Sequence, residues 1–316
     1  MKSYERNNMH TQCPNCRGSA KEIFTVHDTN QEISNQNFHY YRCNKCRLIF
    51  LDPIPDNIQD YYGQVYPAYR KVDNIESQVT DYDLGKIEIV KKYAGGSKLL
   101  EIGPGNGVFA YLAQKEGFIV DVIEMDSNCC KFLTETKKIR NVINSDDIAR
   151  ALNMGGERYD VIVLWHVLEH LNDSRNVLMA LSNALEPDGV VIIATPNPNA
   201  LQFKLFKKYW RHVDAPRHVV FFPMQLLIKE MTGIGLEKVL VTTNDKVSSI
   251  FNVAGWWLNS LNNYIAGNSH SYVSRILRRR SVALMVYNHL VDRLEKREGC
   301  GNAYLAIFKN GKLRAK

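Results

Sequence analysis

Leu99-Leu100-Glu101-Ile102-Gly103-Pro104-Gly105-Asn106-Gly107 is a short apolar strand that runs into a turn with glycine at every second position. Glycines at 103, 105 and 107 let the chain turn sharply and bring backbone N–H groups close to a ligand at the carboxyl edge of a sheet. A nucleoside cofactor is implied. A dinucleotide-binding turn would place its third glycine at 108, where this chain has Val108, and would set a pyrophosphate against the Glu101 carboxylate. S-adenosylmethionine carries no phosphate and bears an ammonium and a sulfonium, so Glu101 suits it electrostatically.

Outward from this turn, short apolar segments at 98–102, 119–123, 141–144, 159–165 and 189–194 alternate with helical stretches. Such alternation implies an α/β fold, a doubly wound and mostly parallel sheet covered on both faces. Pro223 to Met231 reads as a further helix, Leu236 to Thr242 as a sixth strand and Asn302 to Phe308 as a seventh. The stretch between the last two, about 243–301, is an oversized insertion. It holds Trp256-Trp257-Leu258 and a helical pattern in which Leu277, Leu284, Tyr287, Val291 and Leu294 recur at spacings of three, four and seven.

Polar groups at successive strand ends complete the candidate cofactor site. Glu124 lies 21 residues beyond Gly103, where a carboxylate can accept both ribose hydroxyls. Asp146 can accept from the adenine amino group, with Met125 and Ile148 on either side of the ring, and Trp165 closes the fourth strand. Taken singly, each acid is also an ordinary polar strand end.

Glu101-Ile-Gly-Pro-Gly-Asn-Gly107, Tyr159-Asp-Val-Ile-Val163, Val167-Leu-Glu-His170, Leu185-Glu-Pro-Asp-Gly189 and Thr195-Pro-Asn197 resemble successive motifs of class I S-adenosylmethionine-dependent methyltransferases, over about 84–242. The resemblance implies seven strands, the last antiparallel and inserted beside the fifth, with the 243–301 insertion before it. It also implies that the Leu-Glu-His element, and so His170, lies beside the substrate.

Cys13-Pro-Asn-Cys16 and Cys43-Asn-Lys-Cys46, with 26 residues between the pairs, can bring four thiolates onto two knuckle turns around a structural zinc ion. The arrangement resembles the N-terminal zinc ribbon fused to many bacterial methyltransferases of this group. The expected division is a ribbon at 1–55, a Tyr-rich linker or lid at 56–83 (Tyr61, Tyr62, Tyr66, Tyr69), and a methyltransferase domain at 84–316. With four cysteines occupying the zinc, a catalytic role for that metal is not expected. The ribbon lacks a dense basic run, which argues against nucleic acid as its partner.

Two histidine groups are candidates for removing a proton from a hydroxyl acceptor. His166 and His170 lie one helical turn apart at the end of the fourth strand, and His212-Val-Asp214-Ala-Pro216-Arg217-His218 precedes the helix at Pro223. The second group looks like the Asp-x-Pro-Arg-His segment of the same subgroup. Arg217 can fork onto an acidic or phosphorylated acceptor or pair with Asp214 as a structural clamp, and His218 can act as base. The histidines can equally pack or cap the elements beside them.

The 316 residues are 45% hydrophobic and 23% charged, with 10 prolines, within globular norms. No run reaches the roughly 18 apolar residues of a membrane span, and Met1 to His10 is too polar for a secretory signal, so a cytoplasmic location is expected. The net charge of +7 is local: residues 261–316 hold 11 Lys or Arg against 3 Asp or Glu. Arg275-Ile-Leu-Arg278-Arg279-Arg280 there suits a solvated helix face, an anionic membrane surface at the inner face, or a dimer partner. The functional expectation is O-methylation of a sugar or glycan-related acceptor, as the resemblance to enzymes of polysaccharide and natural-product pathways implies. A small phenolic or quinone-like acceptor is the alternative. A nucleic-acid-binding ribbon with a vestigial cofactor site is the alternative of another class. Oligomeric state is not specified by the sequence.

Overall fold

The computed structural model describes residues 11–62, 75–135, 137–268 and 279–311. Tyr66, Tyr69, Leu277 and the 275–278 part of the basic run lie outside them.

The strands that read as unbroken apolar runs form the centre of the large sheet. β4 (Lys98–Ile102) and β7 (Tyr159–Trp165) have helices on both sides, and Leu99, Leu100, Ile102 and Val161 to Leu164 are fully buried. Such strands show no polar alternation because neither face meets water. β5 (Ile119–Glu124) and β6 (Asn141–Asn144) extend the sheet on one side. β8 (Leu185–Pro196), β10 (Leu236–Thr242) and β11 (Ala303–Asn310) extend it on the other. The order is β10-β11-β8-β7-β4-β5-β6. β11 runs antiparallel between β8 and β10, with Leu305 opposite Ala194 and Ala306 opposite Val241. The antiparallel last strand expected beside the fifth strand of the domain is therefore present.

Helix starts follow local chemistry. Thr80 caps α1 (Asp81–Tyr93) with its hydroxyl while Asp83 returns a bond to the Thr80 N–H, a capping box. α2 (Val108–Lys115) and α3 (Ser127–Glu135) follow β4 and β5. Asp147 and Asp173 cap α4 (Ile148–Gly155) and α5 (Ser174–Ala184). α6 (Leu201–Phe206) and α7 (Met224–Gly233) flank the connection that carries His212 to His218.

The N-terminal cysteine region forms a second, antiparallel sheet. β1 (Ala20–Val26), β2 (Phe38–Cys43) and β3 (Ile49–Leu51) pair in order as antiparallel hairpins. A fourth strand, β9 (Val220–Phe221), joins them from the far side of the sequence, with Phe50 opposite Val220. Tyr40 is fully buried and donates its hydroxyl to the His218 carbonyl at 2.8 Å. Rings of Phe24, Tyr40, Phe221 and Trp210 continue the contact into one apolar core.

Between β10 and β11 run α8 (Ala254–Gly267), α9 (Arg280–Val286), a π-helical turn (Tyr287–Val291) and α10 (Asp292–Glu295). The buried stripe is Ala283, Tyr287, Val291 and Glu295, one position off the Leu284 and Leu294 of the sequence pattern, which are half-buried. The π turn is wider than an α turn and keeps a strict four-residue spacing on one face. Among the described residues no helix is long and apolar enough to cross a membrane.

Candidate active site

A cavity of about 590 Å³ opens at the carboxyl ends of β4, β5 and β7, within the range of small-molecule sites. Gly103, Gly105, Glu124, Met125, Asp146, Ile148 and Trp165 all line it. His166, His170 and, from the N-terminal segment, Gln59 and Tyr62 complete the side nearest β7. Gly103 has φ +67°, and a Cβ there would meet Val167 Cγ2 at 2.8 Å, so this position admits only glycine without strain. Both oxygens of Glu124 are engaged, Oε2 by the Gly105 N–H at 3.0 Å and Oε1 by the Asp126 N–H at 2.9 Å. Burial raises the Glu124 pKa, and these backbone donors oppose the rise.

Two expected cofactor residues lie off this lining. Gly107 caps the start of α2 with φ +76°, and a Cβ there would also lie 2.2 Å from Leu133 Cδ2, so its requirement is left-handed backbone and close approach to α3. Glu101 sits beneath the turn. It is buried with Oε2 unpartnered, and burial pushes its pKa up to about 8 against the pull of Lys86. An unpartnered buried acceptor costs about 1–3 kcal/mol. A donor group on a bound ligand would remove that cost. Lys86, itself buried, bonds Asp83 at 3.2 Å.

A second cavity, of about 360 Å³, shares Trp165, His166 and His170 with the first. His166 Nδ1 lies 3.0 Å from Glu169 Oε1, and Glu169 Oε2 accepts the Thr195 hydroxyl at 3.0 Å. Burial opposes the charge on Glu169, but His166, with His218 and His170 further off, holds its pKa down at about 2. A carboxylate can only accept, so Nδ1 carries the proton and Nε2 presents its lone pair. That Nε2 is buried without a partner. His166 has φ +57°, a strained conformation for a side-chain-bearing residue, and its N–H is fixed to the Ala194 carbonyl at 2.8 Å.

The other histidines surround this pair. His170 Nδ1 lies 3.0 Å from the Arg217 carbonyl and 2.8 Å from the Tyr62 hydroxyl, and burial with His218 nearby lowers its pKa to about 4. His218 donates Nδ1–H to the His212 carbonyl at 2.6 Å, and its ring centroid is 4.6 Å from that of His170. His212, which the sequence reading quoted without assigning a role, stacks on Trp256 at 4.6 Å with Nε2 unpartnered. Burial first, then His166 and His218, keep it neutral.

Arg217 does not face either cavity. Its fully buried guanidinium bonds Asp214 at 2.6 and 2.9 Å, Asp28 at 2.6 and 3.1 Å and the Tyr61 carbonyl at 3.3 Å. No fork is left for an acceptor, and the clamp reading describes it instead. The Asp28 partner, 189 residues away in sequence, has no local signal.

Cys13, Cys16, Cys43 and Cys46 gather at the base of the N-terminal hairpin. Cys13 and Cys46 sulfurs are 3.5 Å apart, as are those of Cys16 and Cys43, and all four lie within 4.8 Å of one another. Tetrahedral zinc with Zn–S of ~2.3 Å sets sulfurs about 3.8 Å apart, so this donor set fits that ion. Glu169, His170 and His218 also cluster within 4.8 Å, but Glu169 already serves His166 and Thr195.

A family described as methyltransferase domain matches residues 80–241, half of the chain. The crystal structure of an S-adenosylmethionine-dependent methyltransferase from Archaeoglobus fulgidus aligns with TM-score 0.51 and 20% identity, covering 79% of this chain and 100% of that one. At that identity the likeness is one of fold. A ubiquinone biosynthesis O-methyltransferase of Hydrogenovibrio crunogenus is 27% identical over 128 residues, 38% of this chain and 52% of that protein. One from Vibrio atlanticus is 30% identical over 118 residues, 36% of this chain and 47% of that protein. The chain thus spans about half the length of the curated relatives it matches. With the glycine turn, the strand order and a match over half its length, the chain belongs to the methyltransferase-domain family and has the class I S-adenosylmethionine-dependent fold.

Proposed function

We propose that this protein transfers a methyl group from S-adenosylmethionine to a hydroxyl oxygen of a sugar or glycan-related acceptor. The observation that carries the reading is the His166–Glu169 pair, in which a histidine lining both cavities leaves its buried Nε2 without a partner.

The first cavity fits the donor. Glu124 accepts from the ribose hydroxyls, Asp146 from the adenine amino group, Met125 and Ile148 enclose the ring, and Glu101 receives the ammonium. When bound, the donor supplies a methyl carbon made electrophilic by its sulfonium. His166 holds the acceptor hydroxyl in line and takes its proton on Nε2 as the oxygen–carbon bond forms and the carbon–sulfur bond breaks. Glu169 stabilises the resulting imidazolium, which returns its proton to solvent. His170 and His218, each anchored through Nδ1 to a backbone carbonyl, order the neighbouring wall.

The four cysteines hold a structural zinc ion, and the hairpin segment between them docks against the acceptor cavity, with Asn30 and Gln31 in its lining. Sugar is favoured by the resemblance of the ribbon and of the Asp214 to His218 segment to those of glycan-pathway enzymes. A phenolic or quinone-like ring is the second reading, favoured by the name of the relatives and by Tyr82, Trp165, Phe251 and Trp256 around the second cavity. Release of S-adenosylhomocysteine measured across nucleotide sugars, glycosides and catechols decides between them. Turnover with the sugars alone supports the first reading, turnover with catechols alone replaces it with the second, and none with either refutes both.

A further inference from the structure

The charged groups lining the second cavity are matched, with one exception. Lys86 bonds Asp83, Glu169 bonds His166, and Asp214 is held by Arg217. Arg211 is the exception. Its guanidinium meets the neutral amide oxygen of Asn30 through Nη1, and among the described residues no carboxylate lies within 4 Å of it. Its backbone is fixed: the N–H donates to Ser260 Oγ at 3.1 Å, and the carbonyl accepts from Asn30 Nδ2 at 3.2 Å. Asn30 is anchored in turn, donating to Asp214 Oδ1 at 2.8 Å. The result is a positioned, half-buried cation without a counter-charge on the wall of a cavity.

Two further groups in the same lining await a partner. His212, next in sequence, leaves Nε2 buried and unpartnered, and Trp165 leaves Nε1 so.

We propose that Arg211 binds a phosphate group carried by the acceptor, so that the substrate is a sugar attached to a nucleoside diphosphate, its ring in the second cavity and its phosphate at Arg211. This rests on the methyltransferase reading above and adds the anionic handle. Guanidinium suits the role because it presents several donors in a fixed plane and stays charged. The role that sequence reasoning gave to Arg217 falls to Arg211 because two carboxylates already saturate Arg217.

The test is calorimetric titration of the full-length protein, saturated with S-adenosylhomocysteine, with UDP as probe. Wild type binds UDP with an affinity that falls as salt rises, Arg211→Gln weakens it at least tenfold, and Arg211→Lys recovers part of the loss. Affinity for S-adenosylhomocysteine and the melting temperature stay the same in all three. Equal UDP binding by wild type and Arg211→Gln, or no UDP binding by a wild type that binds S-adenosylhomocysteine, overturns the proposal. Failure of all three proteins to bind S-adenosylhomocysteine would instead refute the underlying methyltransferase reading.

Discussion

His166 and Glu169 are three residues apart, and the 3.0 Å bond between His166 Nδ1 and Glu169 Oε1 leaves Nε2 as the nitrogen open to the proposed acceptor. Glu169 is fully buried and keeps its charge, so the tautomer is fixed before any ligand arrives. The same carboxylate holds Thr195 at the end of β8, which ties the pair to the rigid centre of the sheet. This separates His166 from His170, whose pKa of about 4 makes it a weak base at neutral pH.

In the proposed donor site Glu124 supplies the oxygens that accept from the ribose hydroxyls. Glu124→Gln replaces one of them with an amide donor facing the Gly105 N–H, so S-adenosylhomocysteine affinity measured by calorimetry should fall by about 10- to 100-fold, the loss of about 1.4–2.8 kcal/mol expected for a charge-assisted bond. The melting temperature without ligand should also fall, because the buried Gly105 N–H loses its acceptor.

Zinc should be found at one ion per chain by elemental analysis, held by the four cysteines. Cys43→Ser or prolonged chelation should lower the melting temperature, because folding free energy and metal binding are linked in such sites. Full stability in metal-free protein would remove zinc from the account.

Asp28 and Arg217 join the N-terminal hairpin, in a fully buried pair, to the connection whose His212, Asp214 and His218 form a wall of the second cavity. Asp28→Ala leaves the guanidinium short of one carboxylate in a dry site and should cost about 3 kcal/mol in denaturant unfolding. Asp28→Asn should cost less, since it keeps an accepting oxygen. A cost within experimental error for Asp28→Ala would show that the hairpin is not coupled to the wall.

Glu295 predicts a pH effect. Burial raises its pKa to about 7, against the hydrogen bonds it accepts from Gln202, Asn302 and Tyr287. A carboxyl that holds its proton more tightly when folded contributes stability in full below its unfolded pKa of about 4.5 and loses it as pH rises through about 7. Glu295→Gln cannot ionise, so its melting temperature relative to wild type should climb between pH 5 and pH 8, by the equivalent of roughly 2 kcal/mol. A constant difference across that range would contradict the assignment.

The sheet was legible because β4 and β7 are buried on both faces and read as unbroken apolar runs, and because the glycine turn requires left-handed backbone at Gly103. The four cysteines were legible from spacing. What the sequence hid is long-range. Val220-Phe221 is an ordinary apolar pair until β3 arrives beside it. Arg217 reads as free or paired depending on Asp28, which no local pattern connects to it. Glu169 lay inside the quoted Leu-Glu-His element without a role, because only the folded turn sets it against His166. Arg211 stands out only once the other charges in its cavity are seen to be matched.

Base catalysis by His166 stands or falls on single-turnover methyl transfer by wild type and His166→Ala at saturating donor and acceptor. The variant's rate should be lower by about 10²- to 10⁴-fold, with S-adenosylhomocysteine affinity within a few-fold of wild type. A near-wild-type rate for His166→Ala, with His170→Ala or His218→Ala carrying the loss instead, would contradict it.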